Sequence, residues 1–149
     1  MAVHSSPRLR ALQTSQAIAE AAGLEVETAQ DLDEIDFGEW TGRSFVELDA
    51  DPAWTIWNTA RATARPPCGE AMGEAVARAV DHIEVLACRD WEGTLACVTH
   101  CDIIRGVVAH YLGLGFDNLL RFDVDPGSVS TLVIGPQAGR LITLNRECA

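Results

Sequence analysis

Two different spacings of apolar residues alternate along this chain. Met1 to His4 is a short extended piece that runs into Ser5-Ser6-Pro7, a helix-start signal. Residues 7–22 then read as a helix with Ala11, Ser15, Ile18 and Ala22 on one narrow face and Gly23 as its stop. Leu24 to Ala29 alternates with the period of a strand. From Glu70 to about Arg89 the helical period returns, with Met72, Val76, Ala79, Ile83 and Leu86 in one stripe. Thr94 to Thr99 is a short apolar run typical of a buried strand. After His100, Asp102 is placed to cap a helix that carries Ile103, Ile104, Val107, Val108 and Leu112 and stops at Gly113. Val129–Ile134 and Leu141–Leu144 form two further strands across a turn containing Gly and Pro, and they can pair as a hairpin. Residues 31–67 follow no single period and hold three of the four tryptophans, Trp40, Trp54 and Trp57. Strands alternating with helices predict a three-layer α/β/α fold with a mainly parallel sheet.

Composition narrows the picture. A length of 149 residues predicts a single domain, and 48% hydrophobic with 22% charged residues is an ordinary globular mixture. Acidic residues outnumber basic ones 22 to 11, for a net charge of −11. Such a surface repels nucleic acid and anionic membranes, so neither is an expected partner, although a local basic pocket for a small anion is still allowed. The longest apolar stretches, such as Val107 to Leu114, fall far short of the ~20 residues of a membrane span. No basic-then-apolar leader pattern opens the chain. The five cysteines (Cys68, Cys88, Cys97, Cys101, Cys148) form no CxxC pair, which predicts no bound metal and reduced thiols in the cytoplasm.

Three segments could carry chemistry. In HSSPRLRALQTSQAIA, residues 4–19, a strand feeds a helix whose first turn holds Arg10. Helical side chains lean toward the N-terminus, so this guanidinium and the free amides there can converge on a phosphate; an ordinary surface arginine is the alternative. TLACVTHCDIIRG, residues 94–106, repeats that architecture and puts His100 at the carboxyl end of a strand, where ligands of open α/β sheets collect. A histidine there can donate to a phosphoryl oxygen, or it can be a hydrogen-bonded loop histidine. In PPCGEAMGEAVARAV, residues 66–80, Glu70 opens a helix and is either a general acid or base or simply a helix-dipole glutamate. Glu74 reads as a surface charge, and Arg105 as a structural residue tied to an acidic partner. The tryptophans read as packing residues. Cys101 points away from His100, since neighbours in an extended segment face opposite sides. His4 and His110 read as structural, and His82 as a residue on a helix surface.

Taken together and in this order, the segments resemble the histidine phosphatase superfamily, also called phosphoglycerate mutase-like. SSPRLRALQT matches its Ser-Ser-Pro-Leu-x-Arg-Ala-x-Gln-Thr pattern, with Arg8 in place of leucine. EIDFGEWTG supplies Glu34, Gly38, Trp40 and Gly42 of a middle motif; Gly69-Glu70 precedes the long helix; VTHCDIIR carries Cys101 where glycine is common; DPGSVSTL, residues 125–132, matches the closing segment. The resemblance implies phosphoryl chemistry without metal or cofactor on a small phosphorylated metabolite. By position, Arg10 would bind phosphate with a backbone amide near Ser128, His100 would stabilise the transferring group, and Glu70 would protonate the leaving oxygen. The short segment between Gly42 and Pro66 favours hydrolysis over mutase chemistry.

The chain departs from the family in one respect, because it contains no Arg-His-Gly triplet. The family carries its nucleophilic histidine in that triplet, at the end of a first central strand ahead of Ser-Ser-Pro. The expectation is therefore an N-terminally truncated domain that lacks this strand and is inactive as a phosphatase, or one whose gap is filled by another chain, as in a homodimer exchanging strands. His4 stands where an aromatic residue is usual and is not expected to replace the nucleophile. A non-catalytic phosphate-binding or dimerising module and a phosphoglycerate mutase-type phosphotransferase are the alternative functions.

Overall fold

Three of the short apolar runs become parallel strands: β1 (Ala2–Ser5), β2 (Val26–Thr28) and β3 (Leu95–Val98). They lie in the order β2-β1-β3 with Val3 opposite both Val26 and Ala96. The structure, a computed structural model, describes residues 1–88, 93–135 and 138–147. Arg89 at the predicted end of the long helix, Pro136 of the predicted hairpin turn, and Cys148 lie outside the described residues.

Helix α1 (Leu9–Ala22) crosses from β1 to β2 and ends at Gly23, whose φ of 66° lets its amide close on the carbonyls of Ala19 and Glu20. It starts two residues later than expected, with Arg8 at the cap position. The Ser6 hydroxyl is occupied by Asp33 and His100, so it does not serve as a simple helix cap. The buried row is Ala11, Ser15 and Ala19, an i, i+4 ladder, whereas Ala22 is exposed.

Two short helices, α2 (Phe45–Asp49) and α3 (Pro52–Thr59), fill the middle segment. Ser44 and Glu47 form a capping box on the first, and Asp51 caps the second ahead of Pro52. Trp40, Trp54, Trp57 and Phe37 pack edge to face, as packing residues should. This segment leaves and rejoins the domain at a narrow neck. The Glu39 amide donates to the Pro67 carbonyl at 2.9 Å, and the Glu70 amide to the Asp36 carbonyl at 2.8 Å. Gly38, with φ of 52°, and Gly69 permit the contact, because a Cβ on either would overlap the opposing backbone.

Helix α4 (Met72–Ala87) and helix α5 (Cys101–Leu112) pack against each other at Gly106, where a Cβ would lie 2.9 Å from Met72 Cε and closer still to Val76. Met72, Val76 and Ala79 join Ile103, Val107, Trp57 and Leu119 in one core cluster, with Cys97 of β3 packed on it. The buried row of α1 is not in that cluster, so the strands separate two helical layers as predicted. His100, not Asp102, occupies the cap position of α5; Asp102 sits in the first turn and its carboxylate is taken by Arg61 and Arg105. Arg105 thus has the acidic partner expected of it. No described helix is long and apolar enough to cross a membrane, and Cys68, Cys88, Cys97 and Cys101 are free thiols.

Strands β4 (Val129–Gly135) and β5 (Ala138–Arg146) form an antiparallel hairpin that packs on α5. Among the described residues the parallel sheet has three strands, and the expected hairpin forms a separate two-stranded sheet. Among the described residues β3 pairs only with β1, and β4 only with β5. All four β3 residues are half-buried, whereas a strand inside a covered parallel sheet is buried on both faces.

Candidate active site

Parallel pairing sets Ser5 opposite Val98, so the chain leaves β1 and β3 side by side. The Ser6 amide extends the ladder to the Val98 carbonyl at 2.9 Å. Ser6 and His100 therefore meet at the carboxyl ends of the strands, His100 Nε2 lying 2.8 Å from Ser6 Oγ. The first turn of α1 brings Arg10 Nη2 to 2.8 Å from His100 Nδ1. A guanidinium can only donate, so Nδ1 accepts and the ring proton is assigned to Nε2, which donates to Ser6. The Ser6 hydroxyl in turn donates to Asp33 Oδ1 at 3.1 Å.

His100 is buried and held as the neutral imidazole. Burial, then the charge of Arg10, push its pKa down to about 4, against the opposing pull of Asp33. Burial would raise Asp33, but hydrogen bonds from Arg8, the Glu34 amide and Ser6 outweigh it and hold the carboxylate below its usual range. Glu34 behaves in the opposite way. Its Oε2 lies 3.5 Å from both Arg10 Nη2 and His100 Nδ1, and its side chain is only 25% exposed. Burial raises its pKa to about 7; the Ile35 amide and Arg10 oppose the rise, while the charges of Asp102 and Asp33 add to it.

The structure thus brings Arg10 and His100 together, as predicted, but the acid beside them is Glu34. Glu70 lies two residues before α4, and Arg78 holds both its oxygens, Nε to Oε1 at 2.8 Å and Nη2 to Oε2 at 2.9 Å. It lines an adjoining open cleft of about 560 Å³ with Arg8, Asp33, Glu34 and Arg78. Glu74 is exposed and paired with Arg65, a surface charge as expected. The Ser128 amide is committed to the Asp125 carbonyl at 3.1 Å, and among the described residues no hydrogen bond joins Ser128 to Arg10, His100 or Glu70. His82 is not on the surface: only 14% exposed, its Nε2 lies 3.2 Å from Nδ1 of buried His4, with Asp31 3.5 Å from its other nitrogen. His4 faces that partner and Glu27, on the side of β1 opposite to Val3 and Ser5.

Sequence reasoning gave no role to Asp33, Arg78 or Ser6, and none to Glu34 beyond its place in a motif. Glu34 had a visible signal, a glutamate fixed three residues before a Phe-Gly-Glu-Trp turn. Arg78 had none, since one arginine on a helix flank resembles any other.

A cationic guanidinium, a histidine N–H network and a protonatable carboxyl at strand ends are the donor types that a transferring phosphoryl group calls for. The histidine phosphatase superfamily (branch 1) pattern matches residues 1–147, and the chain belongs to that family. It is 27% identical to phosphoserine phosphatase 1 of Hydrogenobacter thermophilus, over 98% of this chain and 70% of that protein. It is 30% identical to the 2,3-bisphosphoglycerate-dependent phosphoglycerate mutase of Thermoplasma acidophilum, over 95% and 66% of the two chains. The mycobacterial glucosyl-3-phosphoglycerate phosphatase in complex with inorganic phosphate superposes with a TM-score of 0.87 at 25% identity, covering 99% of this chain and 77% of that one.

Proposed function

We propose that this is a site for phosphomonoester hydrolysis on a small phosphorylated metabolite, phosphoserine-like by the relatives' names. Arg10 and His100 hold the phosphoryl group, and Glu34, not Glu70, is the proton donor to the leaving oxygen. The observation that carries this reading is the convergence of Arg10, His100 and Glu34 within 3.5 Å of one another. A carboxyl whose pKa lies near 7 can hold a proton at neutral pH and release it to an alkoxide. The compact α2–α3 segment favours water over a second substrate alcohol as the acceptor.

Among the described residues, neither histidine near this site is a free nucleophile. Both nitrogens of His100 are engaged, and His4 is turned away toward His82. The chain by itself accordingly binds phosphate without turnover. The outer edges of β3 and β4, unpaired among the described residues, favour completion by an added strand, which a second copy of this chain in a reducing cytoplasm can supply.

Calorimetry with inorganic phosphate, run beside hydrolysis of p-nitrophenyl phosphate, tests this. Binding that disappears in R10A and H100A, without turnover in the unmodified chain, is the expected result. Binding indifferent to both substitutions would refute the site. Turnover that vanishes in H100A would keep the site and refute the absence of a nucleophile.

A further inference from the structure

Residues 31–34 carry Asp33 and Glu34, yet belong to no strand and to only the end of a 3₁₀ turn (Gln30–Leu32). Their carbonyls have no ladder to join, and buried carbonyls need partners. The partners are side chains. Arg78 Nη1 donates to the carbonyls of Asp31 at 2.7 Å and Asp33 at 2.9 Å, and Nη2 to that of Glu34 at 3.1 Å. Thr99 Oγ1, one residue before His100, donates to the Leu32 carbonyl at 2.6 Å. Four successive carbonyls are thus held from outside, three of them by one guanidinium.

The remaining donors of Arg78 go to Glu70, so all five of its N–H groups are engaged. Each Glu70 oxygen meets an Arg78 donor, and Oε2 also receives the Asp36 amide at 3.4 Å. Three of the four lone-pair positions of this carboxylate are thus taken by N–H donors. In this geometry Glu70 orients Arg78.

We propose that Glu70 and Arg78 are positioning residues: the pair clamps the 31–34 segment so that Asp33 and Glu34 meet His100 and Arg10. The role assigned to Glu34 rests on the reading above; the clamp itself does not. Lysine at position 78 cannot reproduce it, because one ammonium presents its three donors from a single point and cannot span three carbonyls and a carboxylate. Glutamine at position 70 keeps the shape but turns an NH₂ toward the guanidinium.

The test follows the Glu34 carboxyl by ¹³C NMR in the full chain, identifying its resonance by its loss in E34Q, with phosphate affinity measured in parallel. In E70Q, R78K and the double variant, the Glu34 midpoint is expected to fall from about 7 toward the ordinary 4.5 as the side chain swings into water. Phosphate should bind about tenfold more weakly, and the double variant should be no worse than R78K, since one clamp is lost once. A Glu34 midpoint unchanged in both single variants overturns the proposal, even if the variants are less stable. A midpoint unchanged in E70Q but lowered in R78K would leave Arg78 to hold the segment alone and overturn the role of Glu70. Because the midpoint is read without phosphate, its shift stands or falls separately from phosphate recognition.

Discussion

Glu34 and His100 touch, yet burial moves their proton affinities in opposite directions, and this has a consequence for folding that needs no substrate. Glu34 titrates near 7 in the fold and 4.5 when free, so between these values the native state holds a proton that the unfolded chain has lost. Its contribution is complete below pH 4.5 and is lost as the pH rises through 7. His100 titrates near 4 in the fold and 6.5 when free, so the unfolded chain holds the extra proton. Its contribution is complete above pH 6.5 and is lost as the pH falls through 4. Each slope is about 1.4 kcal/mol per pH unit, so across the shared window each term amounts to about 3 kcal/mol. Their signs oppose, and stability from pH 4.5 to 6.5 should be nearly flat in the unmodified chain. Asp33, held below the usual carboxylate range, titrates beneath the window. E34Q removes one of the two terms: its stability should fall by about 3 kcal/mol as the pH is lowered from 6.5 to 4.5, while H100Q should lose a similar amount as the pH rises. Urea titrations read by the fluorescence of buried Trp40 and Trp57 supply the numbers. If E34Q and the unmodified chain showed the same pH dependence, Glu34 would not be a buried, protonated neighbour of His100.

Three further outcomes follow from the geometry. R10A should weaken phosphate binding by a factor of about 10–100, the worth of a charge-assisted hydrogen bond, measured by calorimetry; an unchanged affinity would make Arg10 an ordinary surface arginine. Arg61 and Asp102 are 7% and 14% exposed and 2.8 Å apart, so R61A, which leaves Asp102 with Arg105 as its remaining partner, should cost about 2 kcal/mol in urea unfolding. G106A should cost about 1–3 kcal/mol, because the new methyl meets fully buried Val76, and V76A in the same chain should recover part of that loss in a double-mutant cycle.

Where one face of an element meets a core, the sequence showed it. The Met72, Val76, Ala79, Leu86 stripe of α4 is buried, and Ile83 is packed beside it. The helix stops at Gly23 and Gly113 are where they were read. Periodicity says which residues turn inward but not what they meet, so it leaves His82 on a helix surface although the side chain faces His4. Arg10 and His100 were legible because each sits just beyond a strand, and parallel strands bring such positions together. Glu34 and Glu70 were harder to tell apart. Both are motif glutamates that the neck brings near one cleft, and what separates them is tertiary: Glu34 meets Arg10 and His100, whereas Glu70 is held by Arg78. Contacts of a side chain with irregular backbone leave no repeating pattern to read. The same holds for Ser128, whose amide is used by a local turn.

The glycine-to-backbone neck at residues 36–39 and 67–70 makes the α2–α3 excursion a closed annex whose two ends are fixed to each other. Once the ends are tied, the entropy of the chain between them varies only with the logarithm of its length, about 0.6 kcal/mol per doubling. The excursion can therefore vary in length at little entropic cost while Trp57 anchors it to the core and Glu34 and Glu70, on either side of the neck, keep their spacing. Cys68 and Gly69, which line the cleft at the neck itself, are thereby held in place whatever the length of the excursion.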